Sequence, residues 1–175
     1  EVIFGRPEEY ADVKGVVAFR GNNYRDSAAY GTRTVTEKKL EIVWTSNTGA
    51  ISAENSYWKG TGWTGQPLLV NWSEEVRNMM NIKPEFKEKD LVEVIYPTLD
   101  GNIYFLDLET GEPTRDKITV GFPFKGTGMI DPRGYPILYA GMGLNENSGK
   151  FTEFKYMMFN LIDQTPLYSI FGRDP

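Results

Sequence analysis

The chain has 175 residues, a net charge of −5, no cysteine and no histidine. The two zeros exclude disulfides, a cysteine nucleophile, a Ser-His-Asp relay and any Cys/His metal site. Lys plus Arg number 19 against 24 Asp plus Glu, with no local basic cluster, which argues against nucleic acid as a partner.

Hydrophobic residues at 40% and charged residues at 25% are ordinary for a globular chain. Aromatics at 14%, with 18 Gly and 10 Pro, point to short strands joined by many turns. The longest apolar runs, such as Gly15-Val16-Val17-Ala18-Phe19, fall far short of the roughly 20 residues of a membrane helix, so no transmembrane segment is expected. The chain starts at Glu1 without a charged-then-apolar leader, which reads as a mature or processed form.

In chain order, residues 1–34 are turn-rich, and only Val16–Phe19 reads as a short strand. Lys39–Ser46 alternates, with Leu40, Ile42 and Trp44 on one face, and predicts a period-two strand ended at Asn47-Thr48-Gly49. Residues 51–63 read as an aromatic loop carrying Tyr57, Trp58 and Trp63, and Gln66–Asn71 as a buried strand. Ser73–Asn81 predicts the one helix. Ser73 caps it, Glu74 and Glu75 suit the positive end of its dipole, Val76, Met79 and Met80 form an apolar stripe, and Pro84 stops it. Leu91–Thr98 and Asn102–Leu108 then form the strongest hairpin signal, joined at Asp100-Gly101 by an expected tight primed turn. Lys117–Gly121 is a further strand.

An internal repeat follows. Asn102–Pro113 aligns without gaps on Lys155–Pro166 at an offset of 53, pairing Asp107 with Asn160 and Leu108 with Leu161. Val94-Ile95-Tyr96 matches Ile137-Leu138-Tyr139 at an offset of 43, and Gly65–Val70 resembles Gly126–Ile130. The short Asp100-Gly101 turn is replaced by a longer loop from Gly141 to Phe154. Four strands in roughly 40–50 residues is the pattern of a β-propeller blade. A two-sheet β-sandwich is the alternative, and the turn positions and Gly-led strands favour the propeller. The expected fold class is all-β, as blades of four antiparallel strands in a partial propeller with one short helix insertion. The expected organisation is an N-terminal segment with a ring-closing strand at 1–50, a first blade at 51–120 and a second at 121–175. A closed propeller needs at least about four blades, so the expectation is one part of a longer protein.

The segment Asp100–Gly111, with Leu106-Asp107-Leu108-Glu109-Thr110-Gly111 at its centre, resembles the repeat of pyrroloquinoline-quinone-like (PQQ-like) β-propellers, "xxYxLDxxTGxxxW". The Trp that usually follows Thr-Gly and docks on a neighbouring blade is absent, and the second repeat has Asp163-Gln164 in place of Thr-Gly. Phe19–Asp26 and Ile42–Gly49 resemble the "FRG-N-x-R-D" and "VLWxxxxG" openings of bacterial members, in which the early strand closes the ring. The resemblance spans most of residues 16–172 and is informative about fold more than function.

Enzymes of that family hold the quinone with calcium on Glu, Asn and Asp, often beside a vicinal disulfide, which this chain cannot form. Asp131, Asn145, Glu146 and Asn147 are oxygen donors without ligand spacing, so no metal site is expected. Neither Glu8-Glu9, Glu74-Glu75 nor Asp107 with Glu109 forms a clear acid/base pair, and no catalytic residue is assigned. Tyr57, Trp58 and Trp63, near Glu54, Lys59 and Trp72, are the candidate ligand-binding residues, because aromatic faces with polar neighbours stack on sugar rings or peptides. The expectation is a non-catalytic scaffold binding a protein or glycan, secreted or at the cell surface, without a cofactor. The alternative is a PQQ- and calcium-dependent oxidoreductase whose active site lies in blades outside this chain.

Overall fold

The structure, a computed structural model, describes residues 11–22, 24–32, 34–62 and 65–172. It is an all-β arrangement of antiparallel sheets with two short helices.

Strand β1 (Lys14–Val16) lies at the edge of the first sheet. A small hairpin follows, β2 (Ala50–Ala53) and β3 (Ser56–Lys59), then β4 (Leu68–Asn71). Helices α1 (Glu74–Met79) and α2 (Pro84–Lys87) are inserted before β5 (Val92–Pro97), β6 (Asn102–Asp107) and β7 (Ile118–Thr119). The order β1-β4-β5-β6-β7 makes a five-stranded sheet. Strands β8 (Met129–Ile130) and β9 (Ile137–Gly141) begin the second. A two-stranded excursion, β10 (Glu146–Asn147) and β11 (Lys150–Phe151), interrupts it. Strands β12 (Lys155–Asn160) and β13 (Pro166–Phe171) complete it in the order β13-β12-β9-β8.

The internal repeat is real in the topology. Strands β4, β5, β6 and β7 form one meander and β8, β9, β12 and β13 another with the same succession. The register corrects one offset. Asp107 stands opposite Glu93, and Asn160 stands opposite Ile137. With Asp107 matched to Asn160, Glu93 matches Ile137, an offset of 44 rather than 43. One residue matters because a slip of one exchanges the two faces of a strand.

The facing sides of the two meanders share one core. Leu68, Ile95, Ile103 and Phe105 meet Ile130, Leu138, Met157 and Phe159 there, and Leu68, Ile95, Ile103, Ile130 and Leu138 are wholly buried. Cross-strand opposition explains the selection, since Leu68 faces Ile95, Ile95 faces Phe105 and Leu138 faces Phe159. Burying a side chain of this size contributes about 1.5–3 kcal/mol.

Four local expectations change. Residues 39–46 form no strand and pair with none among the described residues: Leu40 is 100% and Ile42 83% exposed. Their alternation supplies a strand pattern, but no neighbouring strand lies beside them to accept it. Residues 51–63 hold a hairpin rather than a loop, with Ile51 opposite Trp58. Pro84 opens α2 at its first turn, where its missing N–H costs nothing, and α1 has already ended at the extended Met80. Within α1 the Ser73 cap holds, its Oγ accepting from the Val76 N–H at 3.3 Å, but the stripe is rotated: Arg77 turns inward and Met79 is exposed. Arg77 is buried because its guanidinium donates to the carbonyls of Lys87 and Trp72 at 3.0 Å each.

A buried ion pair of the first meander also reaches the second. Glu93 and Arg115 are fully buried and joined at 2.7 Å, and Arg115 Nη1 reaches the Leu161 carbonyl at 2.5 Å at the end of β12. Substituting Arg115→Met preserves bulk but leaves Glu93 buried beside no cation. The expected loss is about 3–5 kcal/mol in urea unfolding, and Arg115→Lys restores part of it by returning the charge without the planar fork. A wild-type urea midpoint for Arg115→Met refutes this role.

Candidate binding surface

The turn after β5 is the base of the surface. It runs over Leu99-Asp100-Gly101, and only Gly101 takes positive φ there, at +75°, so it is a three-residue turn and not the expected primed two-residue one. Asp100 holds it in shape. Its Oδ1 accepts from the Thr98 hydroxyl at 2.5 Å and the Asn102 N–H at 3.2 Å. Its Oδ2 accepts from the Tyr104 hydroxyl at 2.5 Å and the Gly49 N–H at 2.8 Å. Burial pushes the Asp100 carboxyl up, but the bonds from Thr98, Tyr104, Gly49 and Asn102 together bring it below its ordinary value. Burial and the same carboxylate push Tyr104 up to about 12.

Two hairpins stand on that base. The Gly49 bond delivers the chain into β2, and Gly60 N–H closes the β2–β3 hairpin on the Gly49 carbonyl at 3.4 Å. The β10–β11 hairpin lies beside it, because Ser148 N–H donates to the Ser52 carbonyl at 2.5 Å and Glu54 N–H to Glu146 Oε1 at 2.7 Å. Asn147 Nδ2 anchors the second hairpin to the Gly121 carbonyl at 2.5 Å.

The candidate binding residues do not form one cluster. Tyr57 and Trp58 are neighbours in β3, so their side chains leave on opposite faces. Tyr57 is 64% exposed. Trp58 is half-buried, with the Lys125 ammonium 5.5 Å from its ring centre, and its buried indole N–H has no acceptor among the described residues. Trp63 lies outside the described residues. Trp72 belongs to the core, donating to Glu93 Oε2 at 2.9 Å.

The carboxylates that resemblance or spacing singled out are structural. Asp131 takes Arg133 in a two-pronged contact at 2.9 and 2.7 Å and the Tyr139 hydroxyl at 2.8 Å, and the Arg133 bond holds its carboxyl at about 2. Asp107 accepts from the Thr110 hydroxyl and Lys89 at 2.8 Å each. Glu146 and Asn147 brace the hairpins, while the Asn145 carbonyl accepts from Thr152 N–H at 2.9 Å. Glu74 and Glu75 occupy the first turn of α1, and Glu8-Glu9 lie outside the described residues. Among the described residues no three acidic side chains converge as a metal group would, and no helix is long and apolar enough to cross a membrane.

Sequence reasoning missed Trp44. Its indole N–H donates to the Leu108 carbonyl at 2.9 Å, and its ring lies on Gly111, where an added Cβ would come within 2.5 Å of the indole. The Thr-Gly turn of the first meander therefore does hold a tryptophan, supplied from upstream rather than from the residues after it. The signal was present in the Trp of "Ile-Val-Trp", but nothing local connects positions 44 and 111.

Comparison with protein-family models, curated proteins and solved structures returns no match for this chain.

The Tyr104–Asp100 bond has a readable pH signature. A hydroxyl raised from 10 to about 12 contributes stability that is whole below pH 10 and is lost between pH 10 and 12. Thermal unfolding across that range is expected to show this alkaline loss in the wild type and a smaller one in Tyr104→Phe. Equal alkaline losses in the two proteins contradict the assignment.

Proposed function

We propose that this chain is part of a PQQ-like β-propeller that serves as a non-catalytic scaffold, outside the cell or on its surface, binding a protein or glycan through the ridge of β2–β3 and β10–β11. The observation that carries the reading is that ridge. Two hairpins are braced side by side on the Asp100 turn and hold the broad face of Tyr57 out to solvent. The buried carboxylates Glu93, Asp100, Asp107 and Asp131 are all engaged in bonds that hold turns or the core.

Three features support the propeller. The two meanders repeat in order. Trp44 docks on the Thr-Gly turn, as the family's repeat would have a tryptophan do. The third feature is an uncovered face. The repeat matches Ile103 and Phe105, which the second meander covers, to Tyr156 and Met158 on that meander's far side. Tyr156 lies opposite Ile170, and Met158 lies between Tyr139 and Tyr168, so these share one face. Tyr168 is 63% exposed. A third meander stacked there repeats the contact between the first two. The exposed Leu40 and Ile42 offer a strand to a blade arriving from the opposite side.

Two measurements test the reading. Because the chain has no cysteine, Tyr168→Cys is a unique label site. In the complete gene product it is expected to react with maleimide at least about tenfold more slowly than in the 175-residue chain, and equal rates sink the stacked blade. For binding, Tyr57→Ala is expected to weaken a captured protein or glycan by about tenfold without moving the unfolding temperature, since an aromatic anchor contributes about 1–2 kcal/mol. Unchanged binding removes the ridge from the interface.

A further inference from the structure

We infer that the loop after β1 is a binding site for a small carboxylate ligand with an apolar body, held by Arg20 and Arg25. This does not rest on the propeller reading.

The starting observation is backbone conformation. Four described residues other than glycine have positive φ: Arg20 at 58°, Arg25 at 60°, Ser148 at 50° and Gln164 at 63°. Such a conformation is costly for a residue with a Cβ. The last two have local reasons. Ser148 sits with Gly149 in the two-residue turn between β10 and β11, where both central residues need positive φ. Gln164 is held by its own side chain, which accepts from Asn81 at 2.7 Å and donates to the Asp116 carbonyl at 2.5 Å. The side chains of the two arginines make no hydrogen bond or ion pair among the described residues, so they provide no such compensation. Both are exposed.

The loop is nonetheless built to hold them there. Arg20 N–H donates to Gln66 Oε1 at 3.0 Å, and Ser27 N–H returns to the Arg20 carbonyl at 3.1 Å. Arg25 N–H donates to the Asn22 carbonyl at 3.0 Å. Asn22 Nδ2 holds Asp26 Oδ1 at 2.8 Å, so the nearest carboxylate in the loop is engaged with an amide. Gly21 is obligatory: its φ is +99°, and a Cβ would lie 1.6 Å from the Ser27 carbonyl oxygen. Arg25 lies over the Phe19 ring, 5.9 Å from its centre. Guanidinium groups without a carboxylate partner among the described residues, kept at conformational cost in a chain of net charge −5, are the pattern of a site whose anion comes from elsewhere.

A hollow beside the loop suggests the rest of the ligand. It measures about 170 Å³ and is lined by Ala11, Val13 and Val17 on its apolar side and by Asn22 and Ser27 at its polar side. That is close to the roughly 150 Å³ that takes up one benzene ring. Arg20 is joined to the hollow through its backbone, since its neighbour Gly21 and the Ser27 that donates to its carbonyl both line it. A planar carboxylate suits the guanidinium fork, and an apolar body of six or seven carbons suits the floor.

The experiment is an NMR titration of the protein with benzoate, benzyl alcohol and inorganic phosphate. Benzoate is expected to shift the amide resonances of Gly21, Asn22 and Ser27, with neither of the other two matching it. Arg20→Gly removes the guanidinium and relieves the strain. It is expected to weaken benzoate at least about tenfold while raising the unfolding temperature by roughly 2–4 °C. Arg25→Gln, which leaves Gly21 and the Ser27 closure intact, is expected to weaken benzoate as well. The inference is overturned if benzyl alcohol or phosphate binds as well as benzoate, if the shifts fall outside this loop, or if both variants keep wild-type affinity.

Discussion

The structure depends on a carboxylate placed where water cannot reach it. Glu93 points into the core from β5, and burying its charge is tolerable only if both oxygens are filled. They are. Oε1 accepts from the Thr114 hydroxyl at 2.6 Å and Arg115 Nε at 3.0 Å, and Oε2 from Arg115 Nη2 at 2.7 Å and the Trp72 indole at 2.9 Å. The donors come from two stretches of chain, Trp72 from the exit of β4 and Thr114 and Arg115 from the run between β6 and β7. Arg115 spends its remaining nitrogen on the Leu161 carbonyl of the second sheet and lies 4.3 Å from the centre of the Phe105 ring. Apolar faces fix that the sheets stack. The network helps fix how, because a slide between them would take the Leu161 carbonyl away from a buried guanidinium.

The same logic, at smaller scale, shapes the edges. Asp100, Asp107 and Asp131 each fold a turn around a carboxylate that accepts from hydroxyls, backbone N–H groups or a cation. The Asp100 turn carries the two hairpins, and β1, at the edge of the first sheet, leads into the loop that bears Arg20 and Arg25. Exposed apolar residues include Tyr156, Tyr168 and Ile170 on the far side of the second meander and Leu40, Ile42 and Val43 in the stretch before β2.

Much of the fold was legible because it is local. Alternation and an Asp-Gly turn mark β5 and β6, Ser73 marks the start of α1, and matching residues such as Asp107 and Asn160 reveal the second meander. The hairpin of β2 and β3 was hidden because Gly and Ser dilute the pattern and only Ile51 is fully buried in it. The strand expected at 39–46 shows the converse. Alternation marks a chain fit to pair, and pairing also needs a neighbour. The candidate site was legible in type but not in geometry: Tyr57 and Trp58 do stand at a surface hairpin, yet adjacency in a strand sends them to opposite faces.

The sequence by itself determined the all-β character, the meander repeat and the exclusion of thiol and imidazole chemistry, because each follows from composition, from local patterning or from the likeness of one stretch of chain to another. Only the tertiary structure decided the one-residue register, the partners of Glu93, the docking of Trp44 on Gly111 and the bracing of the two hairpins. Those contacts join residues distant along the chain, and their energies depend on burial and on hydrogen-bond geometry, which exist only once the sheets have come together.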